Sequence, residues 1–397
     1  LIDEARSQGA EMIIFSEYVI PGQMTGCTWL QKSFLREWES CRKEIIATAK
    51  DITIVLGESV SKKFSGEGFD AIFSSKPFSL NKNIYTEEIT RPTIYIGDVG
   101  VQNSGKTIYT FDGGSAVFNS RGEVVQYVEP FTECLNFIEL DEIDNMPALE
   151  MPEVSEAEKI YRALSYGVKE FLAQIGINKV VIGVSGGIDS AVAAALYVQV
   201  VGAENVYLVN MPSKFNSSTT KNLSEQLAKN LGCKYFVVPI QESVDWTVKQ
   251  LEGVGVSVSS FVRENIQARD RSSRILAAVA ASVGGVFTCN ANKAESTVGY
   301  ATLYGDEAGF LSALADLWKF QVYDLARYMN EKIYKREVIP QGIIDIVPSA
   351  ELSTAQNVDE GKGDPLHYDY HDYLFRAFAE RNLTPEDILR RYAAGEL

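Results

Sequence analysis

The sequence has few cysteines and histidines for its length. Its 397 residues include five cysteines and two histidines, and no two cysteines form a Cys-x-x-Cys pair. The cysteines stand at positions 27, 41, 134, 233 and 289. Such scattered cysteines argue against a disulfide framework and against a zinc site of the usual spacing. We therefore expect a protein of a reducing compartment, most simply the cytoplasm.

Long apolar runs are also missing. The longest run of small apolar residues, 275–287, is far too short to cross a bilayer. The N-terminus shows no signal-peptide pattern, so we expect no membrane association. The chain begins at Leu1 rather than at a methionine, and we expect residues to be missing from its start.

Basic residues are fewer than acidic residues. The 37 Lys and Arg residues face 53 Asp and Glu residues, which gives a net charge of −16. This balance argues against a nucleic-acid partner, because general charge attraction to phosphates would be unfavourable. Any anionic ligand must be held by local donors or by a metal ion. The hydrophobic content of 46% is ordinary for a globular protein, and the length allows two or three cores.

An acidic connector with two prolines, residues 141–155, separates two kinds of sequence pattern. Before it, β-branched and aromatic runs predict strands at 12–15, 52–56, 93–96, 116–118, 124–128 and 135–140, with one long helix at 29–50. After it, helices at 156–174, 191–201 and 221–231 alternate with strands at 180–184, 205–209 and 235–238. We predict an α/β protein with domains 1–145 and 146–397, the second a doubly wound parallel sheet.

A glycine-rich segment with the sequence SGGIDS, residues 185–190, lies between a predicted strand and a predicted helix. Its two glycines allow a tight turn and a close approach to an anion, and the helix start supplies free N–H donors. Its serines add hydroxyl donors, and its aspartate adds a carboxylate suited to Mg²⁺. The segment matches neither the Walker pattern nor GxGxxG. The alternative interpretation is an ordinary glycine turn.

This segment resembles the pyrophosphate loop of the ATP pyrophosphatases, which cleave ATP between its α and β phosphates to adenylate a substrate. Residues 264–269 (ENIQAR), 292–295 (NKAE) and 299–306 (GYATLYGD) follow it in order. Together these motifs resemble NAD synthetase over nearly all of residues 156–380. The resemblance implies an adenine nucleotide α-hydrolase-like, Rossmann-like domain. It also implies that nicotinic acid adenine dinucleotide (deamido-NAD) is adenylated at its carboxylate and then amidated by ammonia to give NAD, with release of pyrophosphate and AMP.

The resemblance also implies a role for individual positions, with ATP as co-substrate and Mg²⁺ as metal. ATP and pyrophosphate would be bound by Gly183, Ser185, Gly186, Gly187, Asp189, Ser190, Met211, Lys319 and Ser349. Deamido-NAD would be bound by Glu264, Asn265, Arg269, Asn292, Lys293, Tyr300, Tyr304 and Asp306. Mg²⁺ would be held by Asp189 and Glu295. On spacing alone, Arg269 could instead lie on a solvated helix face, and Asn292 and Lys293 could form an ordinary turn. Phe320 stands where the family commonly has a threonine after the lysine.

The first half resembles the nitrilase-like glutaminase domain that is fused to glutamine-dependent NAD synthetases, through residues 10–17 (AEMIIFSE), 77–82 (PFSLNK) and 111–115 (FDGGS). The resemblance implies an αββα sandwich that hydrolyses glutamine to supply ammonia. That chemistry needs a cysteine nucleophile, a glutamate base and a lysine at the oxyanion. Glu17 matches the base, and Ser16 stands where proline is usual.

The partners of Glu17 are not found in the matching motifs. Cys27, Cys41 and Cys134 lie elsewhere, and Lys82 matches a different lysine of the family. Either the glutaminase has been lost, or residues are absent from the sequence between about 59 and 69, and we expect the second, because loss of core strands would be hard to survive.

The two histidines of the sequence do not indicate a metal site. His367 and His371 lie four residues apart, which could place both on one helix face, but a polar surface is the better interpretation than a metal site.

The partners we expect are small molecules, namely deamido-NAD, ATP, and glutamine or ammonia, and the family implies a homo-oligomer. Two other functions stay open: an adenylating amidotransferase with another acceptor, and an ammonia-dependent NAD synthetase whose first domain is a non-catalytic scaffold.

Overall fold

The computed structural model describes residues 1–22, 26–57, 63–80, 88–105 and 107–396. Its contacts divide the chain into two compact units, Leu1–Gln174 and Ile175–Leu397. The sequence places the boundary earlier, after Asn145. No helix within the described residues is long and apolar enough to span a membrane.

The first unit is rich in strands. Its helices are α1 (Ile2–Ser7), α2 (Lys32–Ala47) and α3 (Glu156–Gln174). Its strands are β1 (Met12–Glu17), β2 (Thr53–Gly57), β3 (Lys63–Ser65), β4 (Asp70–Ser74), β5 (Thr93–Gly97), β6 (Val99–Asn103), β7 (Ile108–Asp112), β8 (Ala116–Phe118) and β9 (Val124–Tyr127).

Two sheets pack face to face in this unit. Strands β1 and β2 form a parallel pair, and a five-stranded sheet has the order β3-β4-β5-β8-β9. Phe69, Ala71 and Phe73 are buried between them, against Ile14 and Val55 of the pair. Helix α1 covers the outer face of β1 and β2, so the unit has a helix layer outside a double layer of strands.

Helix α3 packs on the antiparallel pair β6–β7. Gly167 of α3 lies so close to Thr110 that an added Cβ would overlap the threonine hydroxyl. Gln174 Nε2 donates to the carbonyl oxygen of Val101 at 3.1 Å. These contacts assign the helix to the first unit, although the sequence pattern groups it with the second domain.

One strand prediction in this unit is wrong. Residues 135–139 have no regular structure, and a 3₁₀ helix, Leu140–Asn145, follows them. The apolar side chains of this run pack into separate clusters, Leu135 against α1 and β1 and Leu140 against β4 and β5. The run therefore fills gaps between clusters and does not pair with a strand. The predicted helix 29–50 is shorter than expected and follows a 3₁₀ turn, Gly26–Leu30.

The second unit alternates helices and strands, as predicted. Its strands are β10 (Val180–Gly183), β11 (Val206–Asn210), β12 (Lys234–Val237) and β13 (Val286–Phe287). Its helices are α4 (Ile188–Val201), α5 (Ser218–Leu231), α6 (Gln241–Gly253), α7 (Ser260–Arg269), α8 (Ala277–Val283), α9 (Lys293–Val298), α10 (Lys319–Tyr328), α11 (Gln341–Asp345), α12 (Tyr368–Ala379) and α13 (Pro385–Ala393).

The four strands form a parallel sheet in the order β12-β11-β10-β13. Val181, Tyr207 and Val209 point to one face, where they pack with residues of α6, α8 and the π-helical segment Asp270–Leu276 that joins α7 to α8. Helices α4 and α5 contact β11 and one another. The doubly wound parallel sheet and the α/β class are therefore confirmed.

The strand order reverses beside β10. The chain runs outward from β10 to β11 and β12, and then returns to place β13 on the other side of β10. Ligands of open α/β sheets bind at such a reversal, in the crevice beyond the carboxyl ends of the two strands. We therefore expect a ligand site beside the segments that follow β10 and β13.

Candidate functional site

The glycine-rich loop follows β10 directly, and its conformation depends on Gly186. Gly186 has φ +92°, a left-handed value that side chains rarely adopt. An added Cβ at this position would overlap the carbonyl of Thr220, in the first turn of α5. Gly187 is the N-cap of α4. The loop therefore turns tightly against α5 and presents the first amides of α4 at the strand end, as the motif predicts.

The two serines of the motif hold this loop together. Ser185 Oγ accepts a hydrogen bond from the Gly187 amide at 3.1 Å. Ser190 Oγ donates to the Gly187 carbonyl at 3.1 Å and lies 3.3 Å from Ser185 Oγ. Ser185 is exposed, whereas Ser190 is buried. The Ser185 hydroxyl is thus the one that can face a ligand without rearrangement.

Two acidic residues from opposite sides of the strand reversal meet at one lysine. Asp189 lies in the first turn of α4, and Glu295 lies in α9, which begins shortly after β13. Lys319 Nζ is 2.6 Å from Asp189 Oδ2 and 3.4 Å from Glu295 Oε1. Lys319 is 3% exposed, whereas each carboxylate side chain is 19% exposed. The three residues form a charged cluster beside the glycine loop.

The charged groups of this cluster shift one another's pKa values. Burial raises the pKa of Glu295, and the neighbouring charge of Asp189 raises it further, while Lys319 acts in the opposite direction. Burial lowers the pKa of Lys319, but Asp189 and Glu295 outweigh it, and the net pKa lies well above its ordinary value. Lys319 is therefore a permanent cation that neutralises part of the acidic pair.

Asn292 lies behind the acidic pair and is fully buried. Its Nδ2 donates to Asp189 Oδ1 at 3.0 Å, and its Oδ1 accepts from the amide of Glu295 at 3.1 Å. The Asn292 side chain caps α9 as part of a capping box. Its neighbour Lys293 donates to Glu380 at 2.8 Å. Protein groups thus bond both side chains, for which the sequence predicted contacts with deamido-NAD.

Helix α12 forms one wall of the cluster. The ring of Tyr368 lies 4.8 Å from Lys319 Nζ, and its hydroxyl is 3.5 Å from Glu295 Oε1. Asp372 is fully buried and accepts from the amide of Phe320 at 3.0 Å. The ring of Phe320 stacks on Tyr373. The residue that departs from the family pattern is therefore packed against α12.

Tyr300, another predicted substrate residue, is linked to the cluster through Asp364. Its hydroxyl donates to Asp364 Oδ1 at 2.9 Å and accepts from Gln356 Nε2 at 2.8 Å. Asp364 Oδ2 in turn lies 3.5 Å from the Tyr368 hydroxyl. Burial and the charge of Asp364 raise the pKa of Tyr300, so this phenol stays protonated.

The other predicted substrate residues lie on α7 and on the segment 299–306. Arg269 Nε donates to the carbonyl of Leu303 at 3.1 Å, which ties α7 to that segment. Asp306 Oδ1 accepts from the Thr302 amide at 2.9 Å, and Tyr304 is 74% exposed. Glu264 and Asn265 are partly buried on α7. The structure brings Arg269, Tyr304 and Asp306 together, but it provides no direct hydrogen bond from them to the acidic pair.

Ser349 and Met211 are the remaining residues predicted to bind ATP. Ser349 Oγ donates to the carbonyl of Gln356 at 2.7 Å. Met211 is buried, and its methyl group lies close to Gly183. Sequence reasoning missed Glu351, a buried residue that accepts from Thr220 Oγ1 at 2.7 Å and from the Ser217 amide at 3.0 Å. Glu351 follows Ser349 by two positions, but nothing in the sequence indicates that it reaches α5.

Glu17, the predicted glutaminase base, ends β1 and is 3% exposed. Its Oε2 accepts from the Ser75 hydroxyl at 2.7 Å. Within the described residues, no cysteine bonds to Glu17: Cys27 and Cys134 are exposed and Cys41 is partly buried. Lys82 lies outside the described residues, and so do residues 59–62, which begin the interval where we expect missing residues.

The two histidines belong to a helix start. The backbone amide of His367 donates to Nδ1 of His371 at 2.9 Å, one turn along α12. Within the described residues, no group of three or more His, Cys, Asp or Glu side chains is placed to hold a metal ion. The pair Asp189 and Glu295 would therefore need further oxygen ligands, which phosphate groups supply.

The known proteins to which the chain is similar include NAD synthetases. The family model described as NAD synthase matches residues 160–395. The glutamine-dependent NAD(+) synthetase of Synechocystis sp. is 33% identical over 329 residues, which cover 80% of the chain and 57% of that protein. The enzyme of the same name from Thermotoga maritima is 31% identical over 365 residues, which cover 81% of the chain and 62% of that protein. The chain thus spans less than two thirds of the length of either relative.

A solved structure is similar to nearly the whole chain. The glutamine-dependent NAD+ synthetase of Acinetobacter baumannii, in complex with adenosine diphosphate, superposes with a TM-score of 0.76 at 23% sequence identity. The superposition covers 98% of this chain and 85% of that chain. This likeness shows that the two chains share a fold.

Proposed function

The chain belongs to the NAD synthase family, and we propose that its second unit catalyses the ATP-dependent amidation of deamido-NAD to NAD. One observation supports this most strongly. A buried lysine joins two carboxylates beside the SGGIDS loop, at the point where the strand order reverses. That arrangement supplies anion donors, a fixed cation and metal-binding oxygens in one crevice, which is what departure of pyrophosphate from ATP requires.

The glycine loop is the proposed cradle for the departing pyrophosphate. The first amides of α4 and the exposed Ser185 hydroxyl face the strand end, where they can donate to phosphate oxygens. Gly186 and Gly187 keep the backbone bare, so the anion can approach it closely. Met211 and Gly183 border the loop, and we assign these two, together with Ser349, to the nucleotide side of the site.

Asp189 and Glu295 fit the proposed Mg²⁺. They are hard oxygen ligands that converge on one cation, Lys319, and both keep some exposure to solvent. Bound Mg²⁺ would add positive charge against the oxygens of the leaving pyrophosphate. Lys319 would bind phosphate oxygens from the same side. Its ammonium is held by protein contacts and is charged at any physiological pH, so it can stabilise the leaving group without a proton transfer.

The dinucleotide would lie along α7 and the segment 299–306. Arg269, Tyr304 and Asp306 present a guanidinium, a phenol and a carboxylate there, and these groups suit phosphate, pyridine and ribose hydroxyls. Glu264 and Asn265 belong to the same surface of the proposal. Tyr300 links this region to the acidic pair through Asp364. We remove Asn292 and Lys293 from the proposed substrate residues, because the Asn292 side chain is fully buried and the Lys293 ammonium is paired with Glu380.

Ammonia for this reaction has two candidate sources, glutamine and free ammonium. The relatives are named glutamine-dependent, and Glu17 keeps the buried position of a base. We propose that glutamine hydrolysis supplies the ammonia when the first unit contains a nucleophilic cysteine and an oxyanion lysine. These two residues are not found in the matching motifs of this sequence. A chain without that cysteine and lysine would use free ammonium. The homo-oligomer and the cytoplasmic location stay predictions.

The proposal is tested by supplying deamido-NAD, ATP and Mg²⁺ with either ammonium or glutamine, and by following NAD, AMP and pyrophosphate. NAD should form with ammonium. Its absence, with pyrophosphate still released when another acceptor is supplied, would favour an adenylating enzyme of different specificity. In a protein whose first unit is complete, NAD with ammonium but not with glutamine would favour a first unit that serves as a scaffold.

The variant Asp189→Asn tests the leaving-group site. We expect at least a hundredfold loss of pyrophosphate release with an unchanged circular dichroism spectrum, because the substitution removes a metal oxygen and the partner of Lys319. The matched control is Asp324→Asn, which alters an exposed aspartate of α10 that pairs with Arg327. Full activity of Asp189→Asn would exclude Asp189 as a required ligand.

A further inference from the structure

Asn292 bonds both acidic residues of the site. Its side chain donates to Asp189 Oδ1 and accepts from the Glu295 amide, and its own backbone amide donates to Glu295 Oε2 at 3.4 Å. Asp189 belongs to the segment after β10, and Glu295 to the segment after β13. One side chain therefore joins the two sides of the strand reversal.

Asn292 differs from Asp189 and Glu295 in its exposure to solvent. Asn292 is 0% exposed, whereas the side chains of Asp189 and Glu295 are each 19% exposed. A side chain without exposed atoms offers no surface to a ligand. The partly exposed carboxylates do offer one.

We infer that Asn292 is a positioning residue that fixes the Asp189 carboxylate relative to Glu295 and thereby sets the metal affinity of the pair. This inference rests on the proposed function, because Asn292 acts through the two proposed metal ligands. The hydrogen bond from Nδ2 occupies Oδ1 of Asp189 and leaves Oδ2 directed at the cation Lys319. Groups that hold a metal ligand by a hydrogen bond change metal affinity or activity by about 10- to 100-fold when they are removed.

The Asn292 side chain also caps α9. A substitution can separate this capping role from the hydrogen bond to Asp189. Serine accepts from helix amides about as well as asparagine does at the N-cap. Asn292→Ser therefore keeps the cap of α9 and removes the long Nδ2 donor that reaches Asp189. If the cap were the whole role of Asn292, this variant would bind metal normally.

The matched control is Asn119→Ser in the first unit. Asn119 is also 0% exposed, and its side chain likewise bonds both a carboxylate and backbone amides, of Glu123 and Arg121. The carboxylate that Asn119 bonds, Glu123, is not one of the acidic pair. Loss of stability in this variant measures the general cost of replacing a buried asparagine by serine.

The measurement is Mn²⁺ binding to the whole protein in the presence of inorganic pyrophosphate, followed by the electron paramagnetic resonance signal of free Mn²⁺. We expect Mn²⁺ to bind about 10- to 100-fold more weakly to Asn292→Ser than to the parent, and equally to Asn119→Ser and the parent. In turnover, the Mg²⁺ concentration for half-maximal rate should rise, while KM for deamido-NAD at saturating Mg²⁺ stays unchanged.

The outcomes distinguish the inference from the function it rests on. Equal Mn²⁺ affinity in Asn292→Ser and the parent would overturn the inference and leave the metal site standing. A raised KM for deamido-NAD with unchanged Mn²⁺ affinity would overturn it in favour of a substrate contact. Failure of the parent to bind Mn²⁺ would overturn the metal site and the inference with it. If Asn292→Ser does not fold, Asn292→Thr, which also caps helices and leaves a smaller cavity, is judged by the same criteria.

Discussion

Gly186 is restricted in two separate ways. Its φ of +92° disfavours any side chain, and the Thr220 carbonyl fills the space that a Cβ would need. Other glycines of the same unit carry only the first restriction. Gly232, which ends α5, has φ +72° and open space around it. The pair therefore allows backbone strain and steric overlap to be measured separately.

We expect Gly232→Ala to lower the free energy of unfolding by about 1–2 kcal/mol, the cost of a left-handed alanine. Gly186→Ala should lose more than that, because the backbone of α5 must also move. The measurement is urea unfolding of both variants, together with pyrophosphate binding by calorimetry. Pyrophosphate should bind normally to Gly232→Ala and weakly to Gly186→Ala. Equal losses of stability would mean that α5 shifts without cost.

The residues of the site differ in how far the sequence reveals them. The SGGIDS loop is a local signal, because its turn and its helix start lie within six residues. Asp189 and Glu295 are far apart in sequence, and their pairing was predicted through the family resemblance. Asn292 was predicted as a substrate residue through the same resemblance, and its hydrogen bonds to both acidic residues depend on the folded chain. Thr220 and Glu351 could not be predicted, since their roles depend on contacts made only in the folded chain.

Helix α12 carries a buried carboxylate against the start of α10. Asp372 is fully buried, and its Oδ2 accepts from the Phe320 amide, but Oδ1 has no hydrogen-bond partner within the described residues. Burial raises the pKa of Asp372, and the Phe320 amide and the charge of Lys319 offset this only in part. The folded protein therefore binds this proton more tightly than the unfolded chain does.

The raised pKa of Asp372 predicts that the folded protein loses stability as the pH rises. As the pH rises from about 4 through the pKa of the folded state, the folded protein must release a proton that it binds more tightly than the unfolded chain, and stability falls. An asparagine side chain has no such proton to lose, so Asp372→Asn should gain stability relative to the parent between pH 4 and pH 7. Urea midpoints at these two pH values provide the measurement. The exposed control Asp324→Asn should show no such change, and a constant difference between parent and Asp372→Asn would contradict the assignment.

Several elements were predicted close to their observed bounds, including the three-residue strand β8, and others were missed. Helix α4 and strands β10 and β11 lie close to their predicted bounds, because their patterns are long or follow the glycine loop. Strand β13 has two residues, too few for any periodicity, and was missed. The run 135–140 was predicted as a strand because its side chains are apolar, but apolar side chains also fill gaps between packed sheets.

The division of the chain falls at the end of α3, whereas the sequence pattern changes before it. Helix α3 covers β6 and β7 through Gly167, and Arg162 reaches back to Glu129 at 2.9 Å. A helix can continue one sequence pattern while its contacts lie with the other unit. Contacts of this kind cannot be predicted from composition, because an amphipathic helix does not specify the sheet on which it packs.

These contacts predict how fragments behave. A fragment of residues 1–174 should unfold cooperatively, and a fragment of residues 1–145 should have a Tm lower by at least several degrees, because β6 and β7 lose the helix that covers them. Thermal unfolding followed by circular dichroism provides the comparison. Binding of a dye for apolar surface should increase in the shorter fragment. Equal Tm values would show that α3 adds nothing to the first unit.

The contact between Gly186 and Thr220 has a thermodynamic consequence for the proposed site. The anion cradle is held from behind by α5, which Glu351 fixes in turn through Thr220 and Ser217. The loop has therefore lost most of its conformational entropy when the protein folds, before any nucleotide arrives. Binding then does not include the cost of ordering the loop, and more of the interaction energy is expressed as affinity.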